Sequence, residues 1–216
     1  MRTVPTVLYQ RSRAARTRAE ILKRAVDIAS AEGLDGLSIG RLASELKMSK
    51  TGVFAHFGSK EELQLATVET AKQVFLTEVV EPALKSPSGI RRVCALLDAW
   101  LSYVERIVFR GGCFFAAASA EFDSRPGVVK DKIAALTKAW ITALEDEVRK
   151  AQRLGQLSKA ANPRQLVFEL HAFVQEANWA FKLFDEKKAF ARARAAISNR
   201  IAREKKRAGH KEETEL

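Results

Sequence analysis

Residues 37–63 read LSIGRLASELKMSKTGVFAHFGSKEEL, and this stretch decides the fold. Ser38 stands where an N-cap belongs, ahead of a short helix whose apolar positions are Ile39, Leu42, Ala43 and Leu46. A tight break follows at Lys47-Met48. Ser49 caps a third short helix that carries Val53, Phe54 and Phe57, and Gly58 stops it. Ser59-Lys60-Glu61-Glu62 is a capping box, with Ser at N-cap and Glu at N3, so a fourth helix opens there. It bears Leu63, Leu65, Ala66, Val68, Ala71, Val74 and Phe75 and ends near Pro82. Two helices of under ten residues are not stable alone, because nucleation outweighs so few hydrogen bonds. They need a prop. Upstream, Ile21, Leu22, Ala25, Ile28 and Ala29 form an apolar stripe at helical spacing, which predicts a first helix over Arg13–Glu32. Gly33 sits at its left-handed C-cap position, and Asp35-Gly36 makes a turn.

Downstream the chain stays helical. Lys85–Gly89 is a linker, and helices are predicted over Ile90–Val108, Cys113–Phe122, Val128–Leu154, Pro163–Asp185 and Lys187–Arg207. Breaks at Gly111-Gly112, Ser124–Gly127 and Gly155 separate them, and Asn162-Pro163 pairs an N-cap residue with Pro at the first helical position. The 113–122 segment is almost wholly apolar and is expected to be buried all round. No alternating Val/Ile/Thr run with hairpin turns occurs. The expected fold class is all-α: an N-terminal three-helix helix-turn-helix unit (13–62) and a larger helical domain (63–207). A basic arm (1–12) and a polar tail (208–216), both expected to be disordered, flank them.

The 216 residues carry 37 Lys+Arg against 26 Asp+Glu, a net +11. The excess is uneven. Residues 1–60 hold 11 basic and 5 acidic side chains, residues 61–186 hold 16 and 17, and residues 187–216 hold 10 and 4. A basic end on a neutral body is the electrostatic footprint of a polyanion binder, or else a solvated charged face. The C-terminal run from Lys187 to Arg207 has few large apolar residues, which argues against a membrane-surface helix. No apolar run reaches membrane-spanning length. The first residues lack the long apolar stretch of a secretory leader, and two cysteines, Cys94 and Cys113, make no disulfide framework. A cytoplasmic location with reduced thiols is expected, with no metal site and no cofactor.

Two short helices joined by three or four residues and braced by a third have helix-turn-helix geometry, whose second helix projects into a DNA major groove. Small Ala43 allows close helix approach. Ser49, Lys50 and Thr51 place hydroxyls and a cation at the positive end of the third helix, and Ser59-Lys60 does the same for the fourth. The segment resembles the DNA-binding domain of the TetR family of transcriptional regulators. The resemblance rests on Ala25 and Ala29 before Glu32-Gly33, the Ser38 hydroxyl, Leu42-Ala43, Met48-Ser49-Lys50, and Val53 through Leu63. It departs at Lys47, where the family often has Gly, and at Phe54, where it often has Tyr. The resemblance implies DNA contacts at Ser38, Arg41, Ser49, Lys50, Thr51, Phe54, His56 and Lys60. Lys50 and Thr51 are expected at base edges, Ser38, His56 and Lys60 at phosphates. Phe54, lacking a hydroxyl, packs on sugar or a thymine methyl, or simply fills a hydrophobic surface. The basic arm with Arg11, Arg13, Arg16 and Arg18 either enters a minor groove or stays solvated.

The second half holds, by the same resemblance, a ligand pocket and a dimer interface. The mixture of large and very small residues over 113–118 can leave a cavity between helices. Its candidate lining is Trp100, Tyr103, Cys113, Phe114, Phe115, Phe122, Trp140, His171, Gln175 and Trp179; aromatics at helical spacing are usually core, and each of these is open to that reading. The helix from Pro163 is apolar on more than one face, with Leu166, Leu170, Phe173 and Ala177 on one and Val167, Val174 and Phe181 on another. Partners expected are double-stranded operator DNA, a second copy in a two-fold dimer, and a small-molecule effector. The function implied is a ligand-responsive regulator, a repressor released from a palindromic operator. A sequence-indifferent architectural DNA binder and a helical enzyme are the alternatives, although no nucleophile–base pair, carboxylate pair or metal cluster marks catalysis.

Overall fold

The computed structural model describes the backbone of residues 6–212 and the side chains of residues 13–205. Among them there are helices and no strands. In chain order the α-helices are α1 (Thr6–Glu32), α2 (Ile39–Leu46), α3 (Lys50–Phe57) and α4 (Lys60–Phe75). A π-helical stretch, Leu76–Val80, leads into α5 (Glu81–Leu84). Then come α6 (Ile90–Glu105), α7 (Phe114–Phe122), α8 (Val128–Arg153), α9 (Pro163–Phe184) and α10 (Lys188–Glu212). The π widening falls just ahead of Pro82, which has no N–H to give to the preceding turn and crowds its carbonyls.

Helix α1 starts at Thr6, seven residues before the predicted Arg13. No Gly or Pro interrupts Thr6–Glu32, and Ala14, Ala15 and the arginines around them favour helix. Arg13 and Arg16 therefore ride exposed on a helix rather than on a loose arm, and Arg18 lies over the Phe57 ring at 5.0 Å. The side chain of Arg11, and everything before Thr6, lie outside the described residues. Helix α10 likewise continues past Arg207 to Glu212, so the tail expected from 208 begins as helix; 213–216 lie outside the described residues.

The chain forms two compact units, and neither is continuous in sequence. The first comprises the described residues up to Lys72 together with Phe109–Ile133; the second comprises Gln73–Val108 and Ala134 onward. The 62/63 division read from the sequence follows the order of motifs. The units divide otherwise, because 109–133 packs on α1.

In the first unit, Ile21, Leu22, Ala25, Ile28 and Ala29 of α1 are buried with Leu42 and Ala43 of α2 and Val53 and Phe57 of α3. The short helices survive on this shared core, each leucine-sized side chain contributing about 1.5–3 kcal/mol when fully buried. Helix α7 is not buried all round. Phe114, Ala118 and Phe122 are in the core, whereas Phe115, Ala116 and Ala117 are half-buried and Ala120 is exposed. Alanine has too little apolar area to force burial of every face.

In the second unit, the core is built from Val93, Leu97, Trp100, Leu101 and Val104 of α6, Leu144 and Val148 of α8, Leu166, Leu170, Val174 and Phe181 of α9, and Phe190, Ile197 and Ile201 of α10. A left-handed cap at Asp185 (φ 53°) turns α9 back into α10, and the Phe181 and Phe190 rings close that corner at 5.0 Å. The second apolar face of α9 is not the predicted one. At 100° per residue, Val167, Val174 and Phe181 fall within the same arc as Leu166, Leu170 and Ala177, and all six are buried. The outer stripe is Phe168, Trp179 and Leu183, which are 70%, 51% and 60% exposed, and Phe184 beyond them is exposed too.

Candidate nucleic-acid interface and sensor core

The capping predicted from the sequence sets the geometry of the two short helices. The Ser38 hydroxyl accepts the Arg41 N–H at 3.1 Å, and the Ser49 hydroxyl accepts the Gly52 N–H at 3.0 Å. Lys47 closes α2 in the left-handed conformation (φ 53°, ψ 40°), and the Met48 N–H returns to the Ala43 carbonyl at 2.9 Å. Gly40 lets the aliphatic stem of Lys50 lie close on α2, 3.4 Å from where a Cβ would stand. The Ser59 hydroxyl accepts the Glu62 N–H at 3.1 Å, as a capping box requires.

The outward face of α3 is Lys50, Thr51, Phe54 and Ala55, all exposed. Lys50 makes no ion pair among the described residues, and Phe54 leaves half its surface to solvent. His56 is half-buried, its ring 6.3 Å from that of Phe57. Of the remaining predicted contacts, Lys60 is exposed and paired with Asp35 at 2.8 Å. Lys60, and then Arg125, hold the Asp35 carboxyl below its usual range. Such an exposed pair exchanges readily for a phosphate, since it is worth at most about 1 kcal/mol.

Arg41 is different. Its guanidinium binds Glu32 through Nε and a terminal nitrogen at 3.2 and 3.0 Å, and Glu45 at 2.6 Å. The Arg41 hydrogen bond holds the Glu32 carboxyl below its ordinary value. Arg24 joins the same network through Glu45 and Asp27. Arg41, a predicted DNA contact, thus fastens α2 to the end of α1.

Sequence reading missed what holds the turn between α1 and α2. Glu121 of α7 accepts the Leu34 N–H at 2.7 Å and the Asp35 N–H at 2.9 Å. Gly111 lies flush on the end of α1: its N–H reaches the Ser30 hydroxyl at 3.1 Å, and an added Cβ would stand 1.6 Å from the Ser30 carbonyl oxygen. Arg110 pairs with Asp27 at 2.8 Å. The one available sign was Glu121, a lone acid on an otherwise apolar segment.

The predicted pocket residues divide between the two units. Cys113, Phe114 and Phe122 are buried in the first unit, with Phe115 half-buried beside Phe114 at 5.5 Å. Trp179 belongs to the outer stripe of α9, its ring 5.0 Å from that of Phe184. Trp100, Tyr103, Trp140 and His171 do cluster, in the second unit. The Trp100 ring is 5.7 Å from Trp140 and 5.0 Å from His171, and Phe75 lies 5.0 Å from Trp140 and 5.8 Å from Tyr103. Phe75, which joins this cluster, and Thr137, on α8 one turn before Trp140, were not among the predicted lining. Thr137 could have been noticed, because it interrupts the apolar stripe of α8 four residues after Ile133 and three before Trp140. Cys94 is exposed and Cys113 buried, and they lie in different units.

Two family models match this chain. "Bacterial regulatory proteins, tetR family" covers residues 21–67, and "Tetracyclin repressor-like, C-terminal domain" covers residues 89–197. The HTH-type transcriptional regulator TcmR of Streptomyces glaucescens is 29% identical over 73 residues, 33% of this chain; the match spans about a third of that relative. Among solved structures, a TetR regulator of Chloroflexus aurantiacus J-10-FL superposes with a TM-score of 0.82 at 20% identity, over 88% of this chain and 96% of its own. A TetR-family regulator of Streptomyces coelicolor gives 0.72 at 22% identity, over 89% and 90%. AibR, solved with isovaleryl coenzyme A and operator DNA, gives 0.67 at 21% identity, over 83% and 95%. Between them the family models take in both the helix-turn-helix and the helical remainder, and so the chain belongs to the TetR family of DNA-binding transcriptional regulators.

Proposed function

We propose that this regulator is a homodimeric repressor that reads a palindromic operator and is released from it by a small molecule. The observation that carries the reading is the outward face of α3. Lys50 and Thr51 stand exposed at its positive end, while Ser49 caps the helix by accepting, which leaves its O–H free to donate. Lys50 and Thr51 meet base edges, and Phe54 packs on sugar or a thymine methyl. Ser38, His56 and Lys60 meet phosphates. A second copy is favoured by the outer α9 stripe of Phe168, Trp179, Leu183 and Phe184, too large a run of exposed aromatic and aliphatic surface for a lone chain. It is continued by a groove of about 230 Å³ between α9 and α10, lined in part by Phe173, Ala177 and Ala193. Two recognition helices on a two-fold axis read two half-sites, which multiplies specificity. The structure of AibR with both an acyl coenzyme A and operator DNA supports effector control on this fold.

Selection of bound sequences from random duplex DNA tests the reading. A palindrome is expected, bound with an affinity that falls steeply as salt rises, because phosphate contacts release counterions. Lys50→Ala blurs the selected sequence, and Lys60→Ala weakens all duplexes alike. Enrichment of no sequence over random duplex would instead identify an architectural DNA binder.

A further inference from the structure

On α8 and α9, three buried polar atoms have no hydrogen-bond partner among the described residues: Thr137 Oγ1, Trp140 Nε1 and Gln175 Oε1. They are not scattered. Thr137 and Trp140 are three residues apart on α8 and so share a face, as do His171 and Gln175, four apart on α9. Trp100 of α6 lies between the two faces, 5.7 Å from the Trp140 ring and 5.0 Å from the His171 ring. Phe75 meets the Trp140 ring edge-on at 5.0 Å. Trp100 is buried, whereas Thr137, Trp140, His171 and Gln175 are each only half-buried. Most buried polar groups in folded proteins find a partner, so three orphans around one aromatic cluster mark a place whose hydrogen bonds are completed by something else.

The chemistry of that partner can be read from the donors and acceptors. Trp140 offers only an N–H, Gln175 presents a carbonyl oxygen, and Thr137 both gives and accepts. The rings supply flat apolar walls that prefer edge-to-face or offset aromatic partners. None of these side chains carries a full charge at neutral pH. Burial holds the His171 imidazole below its ordinary value, so it stays neutral. Among these side chains a charged ligand taken out of water would find no counter-ion.

We propose that this cluster contacts the effector, and that it takes an uncharged, planar aromatic molecule bearing a hydroxyl or carbonyl group. The inference rests on the effector-released reading above and adds the ligand's class to it. The ring lies against the outer side of this aromatic cluster, its oxygen accepts from Trp140 Nε1–H, and its hydroxyl donates to Gln175 Oε1 or Thr137 Oγ1.

Three probes of one shape test this on the full chain: naphthalene, 2-naphthol and 2-naphthoate, followed by tryptophan fluorescence and by release of selected operator DNA. 2-Naphthol is expected to saturate, to bind about tenfold tighter than naphthalene, the ratio that one net hydrogen bond supplies, and to release the operator. The anion 2-naphthoate is expected to bind at least about tenfold more weakly than 2-naphthol. At least one of Thr137→Val and Gln175→Leu should shrink the naphthol-to-naphthalene ratio, and both should leave naphthalene binding and operator binding intact; retained operator binding shows that the variants fold. Equal binding of naphthol and naphthoate, or ratios unmoved by both substitutions, would overturn the proposal. So would failure of 2-naphthol to saturate while the operator is still bound, in which case the regulator reading survives. Loss of operator recognition by the unmodified chain would overturn that reading alone, since the probe titration needs no DNA.

Discussion

Replacing Lys47 by glycine should make the protein more stable, although it removes a side chain from the middle of its DNA-reading motif. Lys47 ends α2 at φ 53° and ψ 40°, and its N–H is shared between the Ala43 and Ser44 carbonyls. A residue with a Cβ loses about 1–2 kcal/mol in this region, because the Cβ crowds the following carbonyl. Glycine escapes that cost but gives the unfolded chain more freedom, which returns about 0.4–1 kcal/mol. The difference is a net gain of roughly 0.5–1 kcal/mol. For a chain of this length, that raises Tm by about 1–4 °C. Lys47 is exposed and makes no ion pair among the described residues, so no lost contact confuses the result. Lys47→Ala is the control: it keeps the Cβ and should lie within about 0.5 kcal/mol of the original chain. Urea unfolding followed by circular dichroism, at matched slope m, measures all three. If the glycine variant were no more stable than the alanine variant, the strain argued for this turn would not exist.

Glu121→Ala leaves the Leu34 and Asp35 N–H groups without their carboxylate; the exposed Asp35 N–H turns to water, and the buried Leu34 N–H should cost roughly 1–3 kcal/mol in the same assay; a change under about 0.5 kcal/mol would show that water replaces the carboxylate at both. Gly111→Ala places a methyl 1.6 Å from the Ser30 carbonyl and should lower the yield of folded protein outright, whereas Gly58→Ala, with open space around its Cβ, should cost only the conformational penalty of φ 74°. Burial opposes the charge on Glu147, yet the Gly89 N–H, the Ser88 hydroxyl and Arg92 together hold its carboxyl below the usual 4.5. Its contribution is therefore complete above about pH 4.5 and lost as pH falls through the lower folded value, so Tm of the original chain and of Glu147→Gln should differ at pH 7 and converge in acid. Phe168→Glu with Leu183→Glu on the outer face of α9 should shift sedimentation from dimer to monomer without altering helix content.

Much of the fold was legible because it is punctuated by chemistry with one structural meaning. Ser38, Ser49, Ser59 and Asn162 cap the helices they precede, and Gly33, Gly58 and Gly155 adopt positive φ where helices end. What was not legible depends on contacts between distant residues. Nothing local shows that Arg41 answers to Glu32 and Glu45, or that Glu121 reaches back to Leu34. The start of α1 was misplaced because the Arg-rich stretch Arg11–Arg18 reads as a solvated arm by charge and as helix by propensity, and propensity prevailed. The aromatic candidates split into separate groups because periodicity identifies which residues are apolar but not which helix they meet. Trp140 and Trp179 look alike in sequence, and one joins Trp100 while the other faces solvent.

The Glu121 clamp also has a consequence in time. The residues that it grips and Glu121 itself are 87 positions apart. On a ribosome adding about 5–20 residues each second, the clamp emerges roughly 4–17 s after the turn it steadies. During synthesis the recognition helices leave the tunnel first and wait, held only by their own small core, for the segment that fixes their entry turn.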